Sequence, residues 1–101
     1  MVFDLRRALL AKEEKDSARL MDFEFRQRAR TFRLLAAALE IDPQTLVREI
    51  ALYDDPAILD ALANDLPMSR EDLGHHYTKC RAEAYAQLVG EIGDPTPHRL
   101  G

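Results

Sequence analysis

The chain has 101 residues, the length of a single domain, which allows one hydrophobic core. Its hydrophobic content of 47% and charged content of 32% exclude a disordered or fibrous class. The formal net charge of -4 argues against a general nucleic-acid-binding protein, so we expect no nucleic-acid partner. A single cysteine permits no internal disulfide, and no apolar run approaches the ~20 residues that a membrane-spanning helix needs. We therefore expect a cytoplasmic protein without membrane insertion.

The N-terminal segment, residues 1–15, has the weakest helical pattern. Phe3 and Leu5 fall on one side of a short amphipathic helix predicted over residues 3–15. A helix of about a dozen residues is marginal alone in water, so this one needs a partner, within the domain or outside it, to be ordered. Two interpretations follow. The segment is either a docking arm or the first part of a longer helix that continues through Asp16.

Residues 16–40 carry the clearest helical pattern in the chain. Apolar side chains recur there at three- and four-residue steps, which predicts one buried face. The predicted core positions are Phe25, Ala29, Phe32, Leu35, Ala36, Ala38 and Leu39. We expect the last helix of the chain to pack along this face.

A second face of the same helix carries what we call the arginine band: Arg19, Arg26, Arg30 and Arg33. Asp22 is spaced for an i,i+4 ion pair with Arg26. Glu24 is spaced in the same way for Arg28. The band has two interpretations. Arg26, Arg30 and Arg33 contact a nucleotide phosphate or an acidic protein surface, or the band is solvated and pairs with the acidic residues 40–72, where acids outnumber arginines nine to two.

Two aspartate-proline corners separate short central helices. Asp42 stands directly before Pro43, and Asp54 stands two residues before Pro56. An aspartate cap followed by proline in the first turn predicts the start of a helix. The predicted inward positions of the two helices are Leu46, Val47, Ile50, Ala51 and Tyr53, followed by Ile58, Leu59 and Leu62.

The last helix is predicted to begin at a capping box formed by Ser69 and Asp72. Its predicted inward positions are Leu73, Tyr77, Cys80, Ala84 and Leu88. Glycines and prolines then end the regular pattern, so we divide the chain into an arm (1–15), a helical bundle (16–90) and a disordered tail (91–101). The expected fold is all-α, a small four- to five-helix bundle with two long helices and short central helices.

Candidate chemistry is sparse in this sequence. Asp72, His76 and Cys80 lie four residues apart on one side of a helix, but the chain has no second pair of cysteine or histidine ligands to complete a zinc site. The inward phase of Cys80 argues against a nucleophile. We predict no metal site, no catalytic residue and no enzymatic activity. A DNA-binding helix-turn-helix also suits the arginines, but the acidic central helices disfavour it.

Three stretches carry a family resemblance. Residues 21–39, MDFEFRQRARTFRLLAAAL, hold an apolar-Phe-basic run, an Ala-Arg element and a Leu-Leu step. VREIALYDDPAILDAL then gives a helix, an acidic turn with proline and a short helix, and SREDLGHHYTKCRAEAYAQLV gives a serine-capped helix with an Ala-Glu-Ala element. In this order the sequence resembles the zeta subunit family of alphaproteobacterial F-type ATP synthases, which are small ATPase inhibitors. The likeness covers most of residues 3–89.

The resemblance implies a four-helix domain that binds the catalytic sector of the synthase. Its N-terminal arm would enter an alpha/beta interface near the gamma subunit of the central shaft and block rotation in the direction of ATP hydrolysis. The residues carried over to this role are Phe3, Asp4, Arg6 and Arg7, which resemble a reduced form of the family's opening. Family members are also linked to adenine nucleotide binding, which would suit the arginine band, although no named position carries that role over. No other cofactor is expected.

The sequence departs from the family pattern at its opening. Leu5 stands where a second acid is usual, and no glutamate separates Arg6 from Arg7. The spacing to the Phe25 helix is longer, and an alanine stands where the family has a tryptophan in the apolar run. A diverged helical protein-protein interaction module without ATPase inhibition is therefore the alternative.

Overall fold

The computed structural model describes the backbone of residues 5–95 and the side chains of residues 17–95. Within these residues the chain forms no strand and four helices: α1 (Leu5–Leu39), α2 (Pro43–Leu52), α3 (Asp55–Asp65) and α4 (Arg70–Ile92). Two long helices thus enclose two short ones in chain order. The predicted all-α class and bundle are confirmed.

One helix spans the predicted boundary between the arm and the bundle. α1 runs without a break from Leu5 through Asp16 and Ser17 to Leu39. No proline or glycine occurs over this range, so no residue of α1 is a strong helix breaker. Of the two interpretations of the N-terminal segment, the backbone of residues 5–15 takes the continuous helix. A docking role for the segment remains a prediction.

The C-terminus of α1 is closed by a left-handed residue. Glu40 has a φ of 55°, a conformation that usually selects glycine. The N–H of Ile41 donates to the carbonyl of Ala36 at 3.0 Å, and the N–H of Glu40 donates to the carbonyl of Ala37 at 3.3 Å. These two bonds satisfy carbonyls that would otherwise be left open at the helix end, and they direct the chain back along α1.

The other three helices begin at the predicted caps. Each cap is a side-chain oxygen that accepts a backbone N–H of the first turn, and this removes an unsatisfied donor. Asp42 accepts from Gln44, Asp54 accepts from Ala57, and Ser69 accepts from Asp72. α4 ends where Gly93 takes a φ of 87°, so Glu91 and Ile92, which were assigned to the tail, are helical. Residues 96–101 of the predicted tail lie outside the described residues.

The main seam of the bundle lies between α1 and α4, which pack antiparallel. Phe23 of α1 meets Tyr85 of α4 edge to face, with the ring centroids 5.5 Å apart, and Phe32 meets Tyr77 at 5.7 Å. α2 and α3 close the end of the seam near Phe32. The central core consists of Phe32, Leu35, Ala36, Leu46, Ile58, Leu59, Leu73 and Cys80. The burial of Leu73, Cys80, Ala84 and Leu88 confirms the predicted inner face of α4.

Several predicted core positions are wrong. Phe25 is 65% exposed, Val47 64% and Tyr53 53%, while the unpredicted Phe23 is only 3% exposed. Ala38 and Ala51 are exposed as well. Two residues advance a helix by about 200°, so Phe23 and Phe25 point to nearly opposite sides, and α4 covers the side of Phe23. α2 turns Leu46 and Ile50 toward α1, which leaves Val47 outside.

The N-terminal part of α1 continues past the end of α4. Ile92, Gly93 and Pro95 share a surface depression with Arg19 and Asp22, so α4 ends beside this part of α1. Residues 5–16 therefore extend beyond the end of α4. The whole of α1, with 35 residues, is about 52 Å long. The molecule is accordingly elongated, at 67 × 26 × 22 Å.

Candidate partner-binding surfaces

The proposed arm residues fall at the N-terminal end of α1. Arg6 and Arg7 belong to the first two turns of its helical backbone, but their side chains lie outside the described part of the structure. Phe3 and Asp4 precede the described residues. The structure shows how this candidate site is supported: it lies on α1, and the other end of α1 is buried in the core at Phe32 and Leu35.

The arginine band is brought to one surface, as its spacing predicts. Arg26, Arg30 and Arg33 line a shallow depression of about 190 Å³ together with Glu91 and Ile92 at the end of α4. Arg30 donates to both carboxylate oxygens of Glu91, with one of the two bonds at 3.1 Å. This contact raises the pKa of Arg30 and lowers the pKa of Glu91, so both groups stay charged at neutral pH.

The other two arginines of this depression differ in their partners. Arg26 forms the predicted i,i+4 pair with Asp22, with its Nε 2.9 Å from the carboxylate, and both side chains are more than half exposed. Such an exposed ion pair contributes little to stability, so Arg26 can exchange Asp22 for another anion at little cost. Arg33 makes no ion pair with any side chain of residues 17–95. The structure leaves Arg33 as the most available cation of the three.

A polar network that the sequence analysis missed joins all four helices. Arg28 donates from Nε to Asp55 at 2.5 Å, from Nη1 to the carbonyl of Ile50 at 2.6 Å and from Nη2 to the carbonyl of Tyr53. The hydroxyl of Tyr77 donates to the second carboxylate oxygen of Asp55. We call Arg28, Asp55 and Tyr77, with these two carbonyls, the central polar network. It caps the C-terminus of α2 with a cation and the N-terminus of α3 with an anion.

The predicted pair of Glu24 with Arg28 is therefore wrong. Arg28 is one turn before Phe32 and two turns before Leu35, which places it on the inner face, whereas Glu24 is exposed. The shared phase with two buried residues was only a partial signal in the sequence, because Glu24 has the same phase and is exposed. Burial and the bond to Asp55 raise the pKa of Tyr77, because both favour the neutral phenol.

A large cleft lies over this network, where residues 50–56 face α4. It has a volume of about 850 Å³ and is open to solvent. Its charged lining is largely paired: Arg70 lies 2.7 Å from Asp60, and Arg81 donates to the hydroxyl of Tyr77 at 3.4 Å. With aspartates and arginines on the same walls, the cleft does not select one sign of charge.

A different surface, the apolar groove, lies between α1 and α2. It has a volume of about 250 Å³ and is lined by Phe25, Ala29, Phe32, Arg33, Pro43, Leu46, Val47, Ile50 and Ala51. The wrongly predicted core residues Phe25, Val47 and Ala51 all belong to it. They line a surface instead of a core because no helix among the described residues covers them.

Cys80 and the neighbouring histidines form no chemical site in the described part. Cys80 is 7% exposed, as its predicted core role requires, and burial raises the pKa of its thiol. His75 reaches Glu71 only at 4.0 Å, on an exposed helix face. Among residues that the structure describes, no three potential ligands cluster in a way that could hold a metal ion.

The described residues form a small helical bundle with three distinct surface features: a helix that extends past the end of α4, an arginine band and an apolar groove. No protein-family model matches the chain, and neither a curated protein nor a solved structure is significantly similar to it. None of the helices in the described residues is both long enough and apolar enough to cross a membrane.

Proposed function

We propose that this chain is a regulatory protein that binds the catalytic sector of an F-type ATP synthase and inhibits ATP hydrolysis. The proposal starts from the resemblance to the zeta subunit family over most of residues 3–89. The observation that supports it best is the course of α1, whose residues 5–16 continue past the end of α4. An inhibitor that inserts an arm needs such a segment, held by the core at one end and continued beyond the bundle at the other.

The continuity of α1 also reduces the cost of binding. A helix of about a dozen residues is marginal alone because nucleation is unfavourable, but here the helix propagates from a turn already fixed in the core. Ordering the arm at the moment of binding would otherwise reduce the affinity. The covalent extension of a packed helix therefore favours insertion of the segment as a helix.

The proposed contacts follow the chemistry of a helix in a groove. Phe3 supplies an apolar anchor, and Asp4, Arg6 and Arg7 supply flanking charges that set the register. The proposed partners are the alpha, beta and gamma subunits of the synthase, in the cytoplasm. The arginine band is the proposed location of any weak adenine nucleotide contact, because it holds the available cation Arg33.

Inhibition of a purified F-type ATPase tests this proposal directly. The full chain, added in micromolar excess, is expected to lower the rate of ATP hydrolysis and to co-migrate with the catalytic sector on gel filtration. The Arg7→Glu variant is expected to raise the concentration needed for half inhibition at least about tenfold, because it reverses a charge at the proposed contact.

Lys79→Glu is the matched control for this experiment. It makes the same change in charge at an exposed position of α4, away from the arm, and should inhibit as the parent does. Absence of both inhibition and co-migration with the parent chain would refute the proposal. Inhibition that survives deletion of residues 1–15 would keep the partner but contradict the arm mechanism.

The second candidate function is a diverged helical interaction module that does not inhibit the ATPase. The observation that favours it is the apolar groove, in which Phe25 and Val47 are each more than 60% exposed. Exposed apolar surface of this kind marks interaction sites. If the chain binds a partner protein but leaves the rate of ATP hydrolysis unchanged, this second function is supported over inhibition of the ATPase.

A further inference from the structure

The apolar groove is long enough to bind a short helix. Its α1 wall runs from Phe25 through Ala29 to Arg33, and its α2 wall runs in the opposite direction from Ala51 through Val47 to Pro43. Eight residues of helix span about 12 Å, and a helix laid in this groove would make about two to three turns of contact. The exposed Met21 extends the apolar wall by one further turn.

The floor and the walls are apolar, although the molecule as a whole is strongly charged. Phe25 and Met21, one turn apart on α1, are 65% and 69% exposed, and Val47 on α2 is 64% exposed. Exposed large apolar residues that cluster along one groove favour a ligand with an apolar face, because burial of each side chain away from water lowers the free energy of the complex. A small anion alone would make no use of these side chains.

One edge of the groove is cationic. Arg33 lines it on the α1 side, next to the depression that Arg33 shares with Arg26 and Arg30. Arg33 makes no ion pair with the side chains of residues 17–95, whereas Arg28, Arg30 and Arg70 all do. A cation without an ion-pair partner among these residues therefore borders an apolar floor, in a chain whose net charge is -4.

From this juxtaposition we infer that the groove binds an acidic amphipathic helix of a partner protein. Apolar side chains at three- and four-residue spacing on one face of that helix contact Phe25, Ala29 and Val47. Glutamates or aspartates on the flank of that helix nearest Arg33 pair with this arginine, which fixes its direction and register. This inference does not depend on inhibition of an ATPase, because it uses a surface separate from residues 1–16.

Two labelled peptides of about 15 residues test the charge preference. Both carry leucines at three- and four-residue spacing, one has glutamates at all other positions, and the matched one has lysines there. Glutamate and lysine have similar helix propensities, so the two peptides differ chiefly in charge. With the full chain, fluorescence anisotropy is expected to show at least about tenfold tighter binding of the acidic peptide.

A pair of variants on α2 tests the location of binding. Val47→Asp places a carboxylate in the groove, and Leu52→Asp places one at another exposed apolar position of the same helix, 74% exposed and outside the groove. Val47→Asp is expected to weaken the acidic peptide at least about tenfold and Leu52→Asp less than about twofold. Arg33→Glu should remove most of the preference for the acidic peptide while circular dichroism shows an unchanged fold.

Three results would overturn the inference. The first is equal binding of the acidic and basic peptides, or no binding of the acidic one at millimolar concentration. The second is equal loss in Val47→Asp and Leu52→Asp, which would place the contact outside the groove. The third is a dimer of the chain in sedimentation equilibrium that Val47→Asp dissociates, because a second copy would then be the occupant.

Discussion

The two sides of α1 differ in how completely they are covered. On the side of α4, Phe23 and Phe32 meet aromatic partners and are at most 3% exposed. On the side of α2, Phe25 is 65% exposed although it carries the same side chain two residues from Phe23. The difference shows that α1 is a core element along one side and an open wall along the other.

Helix length explains this difference. α4 has 23 residues, enough to follow α1 from Arg19 to beyond Phe32, whereas α2 has only 10 residues. A helix of 10 residues spans about 15 Å, so it covers α1 only near its C-terminal end. The open wall is thus the direct result of a short second helix, and four experiments test the comparison between the two sides.

The largest expected effect comes from truncating the equivalent aromatic residue on each side. Phe32→Ala is expected to lower the free energy of unfolding by about 3–5 kcal/mol, because it removes a fully buried ring and leaves a cavity. Phe25→Ala, the matched change on the open side, should cost less than about 1 kcal/mol. Urea denaturation measures both. Similar losses in the two variants would show that the groove is closed in solution.

Thiol labelling compares the two sides by reactivity. Cys80 faces the closed seam, and its burial raises the pKa of its thiol, so it reacts only when the bundle opens. In a Cys80→Ala background, Val47→Cys places a thiol on the open side. We expect the second thiol to react with a thiol reagent at least about a hundredfold faster. Equal rates would indicate that α4 separates readily from α1.

The third prediction concerns the central polar network. Arg28→Met removes the cation that pairs with Asp55 and the donor to the carbonyls of Ile50 and Tyr53, and it leaves a partly buried carboxylate held only by the hydroxyl of Tyr77. The expected loss is about 2 kcal/mol of unfolding free energy. Arg33→Met is the matched change on the open side and should stay within about 0.5 kcal/mol. A large loss in Arg33→Met would reveal a structural role for that arginine.

The smallest expected effect appears at alkaline pH. The raised pKa of Tyr77 means that the fold favours the neutral phenol, so its contribution to stability is complete below pH 10.0, the ordinary pKa, and is lost as pH rises through the folded pKa. Tyr77→Phe should flatten the fall of stability above this pH, and because solvent screens the partly exposed phenol the effect should stay below about 1 kcal/mol. Identical alkaline slopes in the parent and in Tyr77→Phe would contradict the prediction.

Local sequence signals predicted the helix starts and one face of α4 correctly. Asp42, Asp54 and Ser69 cap their helices because a cap depends on the side chain and the next three residues. The inner face of α4 followed from periodicity, since Leu73, Cys80, Ala84 and Leu88 meet a single long neighbour.

Features that depend on distant residues could not be predicted in this way. Phe23 and Phe25 are equally apolar, and only the position of α4 decides which of them is buried. Arg28 had a plausible local partner in Glu24, but the corner between α2 and α3 offers it a carboxylate and two carbonyls at once. The apolar groove was misread as core because periodicity reports that a face is apolar, not that another helix covers it.

The absence of proline and glycine from α1 has a mechanical consequence. A helix without a hinge acts as a lever, so the N-terminal segment and the bundle share one axis. Between Leu5 and Arg19 the lever arm is about 21 Å, and a tilt of about 10° moves its end by about 4 Å. Any partner that binds this end therefore also determines the position of the groove and of the arginine band. No flexible linker lies between them within α1, so their positions relative to that partner are fixed.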